Sequence, residues 1–225
     1  MKSAIGTGLL QSIPYFSGLS PRELESIGKL VFEKAVDKGG LIIMEGEPAD
    51  ELYFMASGLV KIFKTSAGGK EQILYLIRPG ESVNDVSAFA GGPHPASAQA
   101  MVPTILYGLR KDALEGIIQA NPQVSLNINR VLAGRIQHLL DLVEDLSFRH
   151  VNGRVAKILL EHAGDGANPR PRLTQQEMAA MAGTAREMIG RCLKELEENR
   201  AIRMDGHRVV ITDVEALQRL AETSV

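Results

Sequence analysis

The stretch Thr174–Leu193, TQQEMAAMAGTAREMIGRCL, decides the fold of this chain. Thr174-Gln175-Gln176-Glu177 has the spacing of a capping box, in which a Thr hydroxyl and a Glu carboxylate satisfy each other's backbone N–H groups. Ala179, Ala180 and Met181 continue that helix, and Gly183 ends it as a residue tolerant of the left-handed conformation. Thr184-Ala185-Arg186-Glu187 has the same capping spacing and predicts a second helix at once, with Ile189, Leu193 and Leu196 as its buried face. Two short helices joined tightly at a glycine, with small residues where they cross, predict a helix-turn-helix. Its second helix presents Arg186, Glu187 and Arg191 outward. Arg donates two hydrogen bonds to guanine O6 and N7, and Glu accepts from cytosine N4. Base contacts come mainly from the N-terminal part of such a helix. The Thr174 and Thr184 hydroxyls suit nearby phosphates. A solvated charged face on a packing helix is the plainer alternative, and the elements on either side argue against it.

Downstream, Arg203–Ile211 reads as a hairpin around Asp205-Gly206, and Thr212-Asp213-Val214-Glu215 as a capping box opening a last helix. Upstream, Val151–His162 is a helix with Val155, Ile158 and Leu159 on one face, followed by a polar turn over Gly164–Arg172. Before it lies one long helix, from Asn121-Pro122 to Ser147, with Asn121 as its cap and Pro122 at its first position. Ile128, Leu132, Arg135, Leu139, Leu142 and Leu146 recur there at spacings of four and three, the seam of a dimer-forming coiled coil. Val131, Ile136 and Val143 flank the seam and are placed to pack on the preceding domain. An amphipathic helix buried wholly on its own domain is the alternative. Two apolar faces call for two partners, which favours the dimer.

The N-terminal part starts with Ser20-Pro21-Arg22-Glu23, a helix-start signal ending by Phe32. Short β-type runs follow, punctuated by glycine: 41–43, 51–55, 59–64, 71–77, 98–102 and 105–109. Many short strands with Gly and Pro turns predict a barrel or jelly roll. The fold class is therefore α+β: a β-roll (jelly roll) over 13–120, a dimerisation helix over 121–148, and a winged helix-turn-helix over 149–225.

Composition sets outer bounds. The 225 residues are 44% hydrophobic and 23% charged, a globular balance. Residues 1–147 carry 13 Lys/Arg against 16 Asp/Glu, and residues 148–225 carry 12 against 11. Neither part is a basic polyelectrolyte, so nucleic-acid binding must rest on locally placed charge. Cys192 is the single cysteine, which excludes a disulfide within the chain and a four-Cys iron–sulfur cluster. Met1–Leu10 lacks the apolar core of a signal peptide, and no apolar run suits a membrane span, so the cytoplasm is the expected location. A cupin-like metalloenzyme would need clustered His and Glu on adjacent strands, and no His-x-His step or nucleophile motif is present. No enzyme is expected. A regulatory interaction module that does not bind DNA is the other class, against which the Arg186-Glu187-x-x-x-Arg191 face argues.

From Ile13 to Ile211 the chain resembles the cyclic-AMP receptor protein / fumarate-nitrate reductase regulator (CRP/FNR) superfamily, most specifically over Gln176–Leu193. The resemblance implies a cyclic-nucleotide-binding-like domain, a homodimer, and double-stranded DNA with a palindromic, TGTGA-like site. It also implies RNA polymerase as partner, as for an activator, and a small-molecule or gas effector. Arg186, Glu187 and Arg191 match the reading positions, and Met188 stands where Thr or Ser is common. In cyclic-AMP-binding relatives a Gly-Glu pair holds the ribose and an Arg-Ser/Thr-Ala step holds the phosphate. Here the first pair is Asn84-Asp85, and the second region is His94-Pro95-Ala96-Ser97-Ala98, without Arg. A buried phosphate lacking its Arg loses a charge-assisted pair, so cyclic AMP is disfavoured. The effector pocket is expected around Asn84, Asp85, His94, Ser97 and Leu132. Gly80–Val102 looks closer to the haem-binding, nitric-oxide-responsive branch, for which His94 and His138 are the candidate axial ligands.

Overall fold

The computed structural model describes residues 7–162, 173–206 and 208–222. The polar turn expected over Gly164–Arg172 lies outside them. In chain order the elements are α1 (Thr7–Ser12), a 3-10 turn (Pro14–Phe16), α2 (Pro21–Gly28), β1 (Phe32–Val36), β2 (Leu41–Ile43), β3 (Glu51–Ser57), β4 (Val60–Thr65), β5 (Glu71–Ile77), β6 (Ser82–Val83), α3 (Asp85–Ala90), β7 (Ser97–Ala100), β8 (Thr104–Arg110), α4 (Lys111–Ala120) and α5 (Pro122–Phe148). They continue with α6 (Val151–His162), α7 (Gln175–Ala182), α8 (Arg186–Glu198), β9 (Ile202–Asp205), β10 (Arg208–Ile211) and α9 (Val214–Glu222). Two compact units result, 1–64 with 75–138 and 65–74 with 139–225.

The strands β1 to β8 form two four-stranded sheets, β1-β8-β3-β6 and β2-β7-β4-β5. Strand β8 pairs antiparallel with β1 and β3, from Phe32↔Gly108 and Glu51↔Arg110 onward. Strand β7 pairs antiparallel with β2 and β4. The predicted jelly-roll pattern is thus present, with β1, β6, α1, α3 and α4 added to the elements legible in the sequence. Leu52 and Phe54 of β3 and Leu109 of β8 meet Tyr15, Phe16, Leu24 and Ile27 from the N-terminal helical turns, Leu114 and Ile117 of α4, and Val124 and Ile128 of α5 in one apolar core. Tyr15 and Phe16 each approach Phe54 with ring centroids 5.3 Å apart. Ser20 caps α2 with the reciprocal Glu23 bond that its sequence predicts.

Helix α5 differs from expectation at its start. Asn121 serves the helix before it: its backbone N–H and its side-chain amide both donate to Ile117 O of α4. The helix is also rotated relative to the predicted packing. Ile128 is buried in the first unit's core, with Val131 and Leu132 against it, and Arg135 is drawn to carboxylates of its own β-roll. Positions 128, 131, 132 and 135 form one helical face. Ile136 and Val143, expected to pack on the β-domain, point elsewhere and are about 60% exposed (60% and 62%).

The second unit packs Val155, Ile158 and Leu159 of α6 against Met178, Ala179 and Ala182 of α7, Ile189, Cys192, Leu193 and Leu196 of α8, and Leu217 of α9. Strands β9 and β10 form the expected hairpin, Ile202↔Ile211 to Asp205↔Arg208, with Gly206 at φ 60. The last helix is capped by Asp213, whose carboxylate accepts from Ala216 N at 2.9 Å. Thr212, expected in that role, instead donates its hydroxyl proton to Arg200 O.

Candidate nucleic-acid interface and effector site

Helix α7 begins at Thr174 with both bonds of the capping box formed, and ends at Gly183 in the left-handed conformation, φ 65. A helix leaves its last carbonyls without intrahelical partners. Here side chains take them: Gln72 Nε2 donates to Met181 O (3.3 Å), Arg154 Nε to Ala182 O (2.7 Å) and Lys70 Nζ to Gly183 O (3.2 Å). Thr184 N also turns back to Ala179 O. Thr184 therefore belongs to the end of α7, and its predicted capping box does not form. Helix α8 starts two residues later, with Ala185 at the N-cap and no side-chain cap. Its first N–H groups, and the positive end of its dipole, are left for an outside acceptor.

Burial of Ile189, Cys192, Leu193 and Leu196 fixes the rotation of α8. Glu187, Met188 and Arg191 then face outward, with Arg186 at the flank, and all four are exposed. Arg186, Glu187 and Arg191 make no ion pair or side-chain hydrogen bond to another described residue. Two other cations of the unit are committed: Arg149 and Lys157 both pair with Asp145, at 2.6 and 2.5 Å. Thr174 is exposed at the start of α7, and Thr184 lies in the turn between the two helices. A glycine-hinged helix pair, a two-stranded wing after it, and two arginines and a glutamate left unpaired on the leading turns define a DNA-binding regulator of the helix-turn-helix class.

Of the expected effector residues, the structure joins Asn84 to His94 directly, whereas Asp85, Ser97 and Leu132 have other partners in the first unit. Asn84 adopts the left-handed conformation, φ 82, at the start of α3. Its amide donates to Glu51 O at 2.8 Å, so its Oδ1 accepts from His94 Nδ1–H at 2.7 Å. His94 is buried, and its ring also hydrogen-bonds the Pro48 backbone. Ser97 Oγ accepts from Glu45 N. Asp85 is 5% exposed; its Oδ1 accepts from Tyr15 Oη at 2.6 Å, and its Oδ2 faces Arg135 Nε at 3.7 Å. Arg135 further faces Glu81 at 3.7 Å, donates to Ser82 O at 3.2 Å and stacks over Tyr75 at 4.6 Å. Burial, with Asp85 second, pushes the Tyr15 hydroxyl well above the usual phenol range. Leu132 packs on the apolar core one turn before Arg135, and His138 meets Tyr75 edge to face. Tyr15 and Tyr75 carry no sequence signal for this cluster, since they lie in other elements of the chain, while Glu81 and Ser82 sit just before Asn84 and Asp85.

Burial lowers the His94 pKa below its ordinary 6.5, against opposing contributions from Glu47 and the Pro48 bond. The folded ring is therefore kept neutral, while the unfolded chain binds a proton near 6.5. Stability is full above that value and declines as pH falls below it. The urea midpoint should be lower at pH 5.5 than at 7.5, and His94→Gln should flatten that dependence.

Residues 33–121 match the cyclic nucleotide-binding domain family, and residues 153–220 the Crp-like helix-turn-helix domain. The CRP-like cAMP-activated global transcriptional regulator of Mycobacterium tuberculosis is 33% identical over 213 residues, 92% of this chain and 95% of that protein. The cyclic AMP receptor protein of Thermus thermophilus is 32% identical over 212 residues, 94% of this chain and 98% of its own. FixK2 from Bradyrhizobium japonicum, at 24% identity, shares the fold with a TM-score of 0.75 over 87% of this chain and 99% of that one. The chain belongs to the CRP/FNR superfamily of transcription regulators. The Mycobacterium tuberculosis relative is named as a regulator of transcription and not as an enzyme, and among the described residues no helix is long and apolar enough to cross a membrane.

Proposed function

We propose that the protein is a homodimer that reads a palindromic, TGTGA-like DNA site with Arg186, Glu187 and Arg191, and regulates transcription with RNA polymerase in response to an effector other than cyclic AMP. The unpaired Arg186-Glu187-Arg191 face on the first half of α8 carries the reading. In this proposal 13–120 is the sensor, 121–148 the dimer helix and 149–225 the DNA-binding domain, with Thr174 and Thr184 beside the phosphates.

Against cyclic AMP stands the chemistry of the sensor cluster. Two carboxylates, Asp85 and Glu81, share one guanidinium, that of Arg135. The cluster carries net negative charge and repels a cyclic phosphate. Pro95 offers only a carbonyl, already accepting from Lys64 Nζ at 3.0 Å. A gas-sensing haem protein is the alternative reading. His94 Nδ1 is engaged with Asn84 Oδ1 at 2.7 Å, so ligation through that nitrogen would require α3 to rearrange; His94 and His138 are the candidate ligands of this reading.

Fluorescence anisotropy near physiological salt tests the proposal, using a TGTGA palindrome and a scrambled control, with and without cyclic AMP. Selective binding that cyclic AMP does not strengthen is expected. Equal affinity for the two probes, after a random-site selection has also yielded no consensus, overturns the DNA assignment. Tightening by cyclic AMP overturns the effector assignment alone. A Soret band in the purified protein would select the haem alternative.

A further inference from the structure

An exposed thioether sits in the middle of the charged reading face. Met188 lies between Glu187 and Arg191 on α8 and is 38% exposed. It takes no part in the apolar core of its own unit, whereas Met178 is buried there and Met181 packs against it. At 3.6 residues per turn, Met188 is about 60° around the helix from Arg191 and about 4.5 Å from it along the axis. The part of Met188 left open to solvent is an apolar surface among charged neighbours. Its uncharged, unbranched chain cannot pair with a phosphate, and it has no hydrogen to donate to a base edge. The thymine 5-methyl is the apolar group that the major groove presents.

Resting on the proposed reading role of α8, we infer that Met188 is a specificity-determining residue that packs on a thymine methyl. The axial offset from Arg191 is close to one base-pair step of about 3.4 Å. The thymine therefore neighbours the guanine that Arg191 reads. Met is long and flexible, so it can keep this contact while the two charged neighbours set the register.

The test starts from the half-site that wild-type protein selects from random duplexes. Each thymine is then replaced in turn by deoxyuridine, symmetrically in both half-sites, and affinity is read by anisotropy. Loss of one buried methyl predicts about a 3- to 5-fold weakening per half-site at one position and almost none elsewhere. Met188→Leu should keep that sensitivity, and Met188→Ser should lose it. Wild-type protein that binds its selected site but is indifferent to every uridine overturns the inference and leaves the role of α8 intact. So does a Met188→Ser variant as uridine-sensitive as wild type. Failure to select any site overturns the reading of α8, and this inference with it.

Discussion

Arg191→Ala is expected to weaken binding to the selected site by about 5- to 150-fold per half-site, the effect of losing one bidentate guanine contact. It should also relax base choice at one position in each half. The structure supports a clean loss. Arg191 bonds to no described residue, so truncation removes nothing that holds α8 in place. The helix is set instead by Ile189, Cys192, Leu193 and Leu196 beneath it and by the three side chains that grip the last carbonyls of α7. Circular dichroism and the urea midpoint should therefore match wild type while binding falls. Arg154→Ala makes the contrast. It frees Ala182 O and, through Arg154 Nη1, Arg149 O at 2.7 Å, so stability and binding should drop together and without relaxed base choice. An Arg191→Ala variant with wild-type affinity and specificity would mean that α8 does not read bases in this way.

The helix-turn-helix was legible because its signals are local. The Thr174–Glu177 box, the left-handed Gly183 and the 189/193/196 stripe are each decided within a few residues, and the structure reproduces all three. Local reading failed where two motifs compete for one residue. Thr184 and Thr212 both have capping spacing, but the backbone N–H of Thr184 was already committed to Ala179 O, closing α7, and the Thr212 hydroxyl to Arg200 O. The sensor cluster was legible only in part. Asn84, Asp85 and His94 stand where a family comparison directs attention, whereas Tyr15 is 70 residues from Asp85 and Ser82 is 53 from Arg135. No sequence period connects them. At α5, Ile128 and Arg135 of the expected seam are taken up by the first unit, while Leu139 and Leu146 stay exposed. A long helix with apolar residues on several sides permits more than one seam, and the choice is made by the Arg135–Asp85 pair and by burial of Ile128.

Leu140→Glu is expected to convert the proposed dimer to a 24.4 kDa monomer and to lower affinity for the proposed palindrome by at least about 100-fold. The rotation of α5 leads to this variant. With Ile128 and Arg135 turned inward, one stripe among the exposed positions is Leu126, Asn129, Ala133, Ile136, Leu140 and Val143, spaced three, four, three, four and three. That is a heptad seam facing away from the chain's own core. Ile136, Leu140 and Val143 are 60%, 61% and 62% exposed, and burying that remaining surface on each of two protomers contributes about 5–11 kcal/mol, scaled from 1.5–3 kcal/mol per fully buried side chain. Association costs about 4–15 kcal/mol in lost freedom, so the stripe is large enough to sustain a dimer and small enough for one buried charge to undo it. A glutamate at 140 would meet its own copy across the two-fold axis, placing two carboxylates in an apolar interface with no cation on the seam to pair them. Monomers would then engage half-sites singly and lose the gain from linked binding. Ile128→Ala separates the faces: it removes a core side chain, costs about 2–5 kcal/mol of stability, and should leave the dimer intact. Light scattering coupled to gel filtration decides between the two. A Leu140→Glu protein that stays dimeric would return the interface to the Leu139, Leu142 and Leu146 side of the helix.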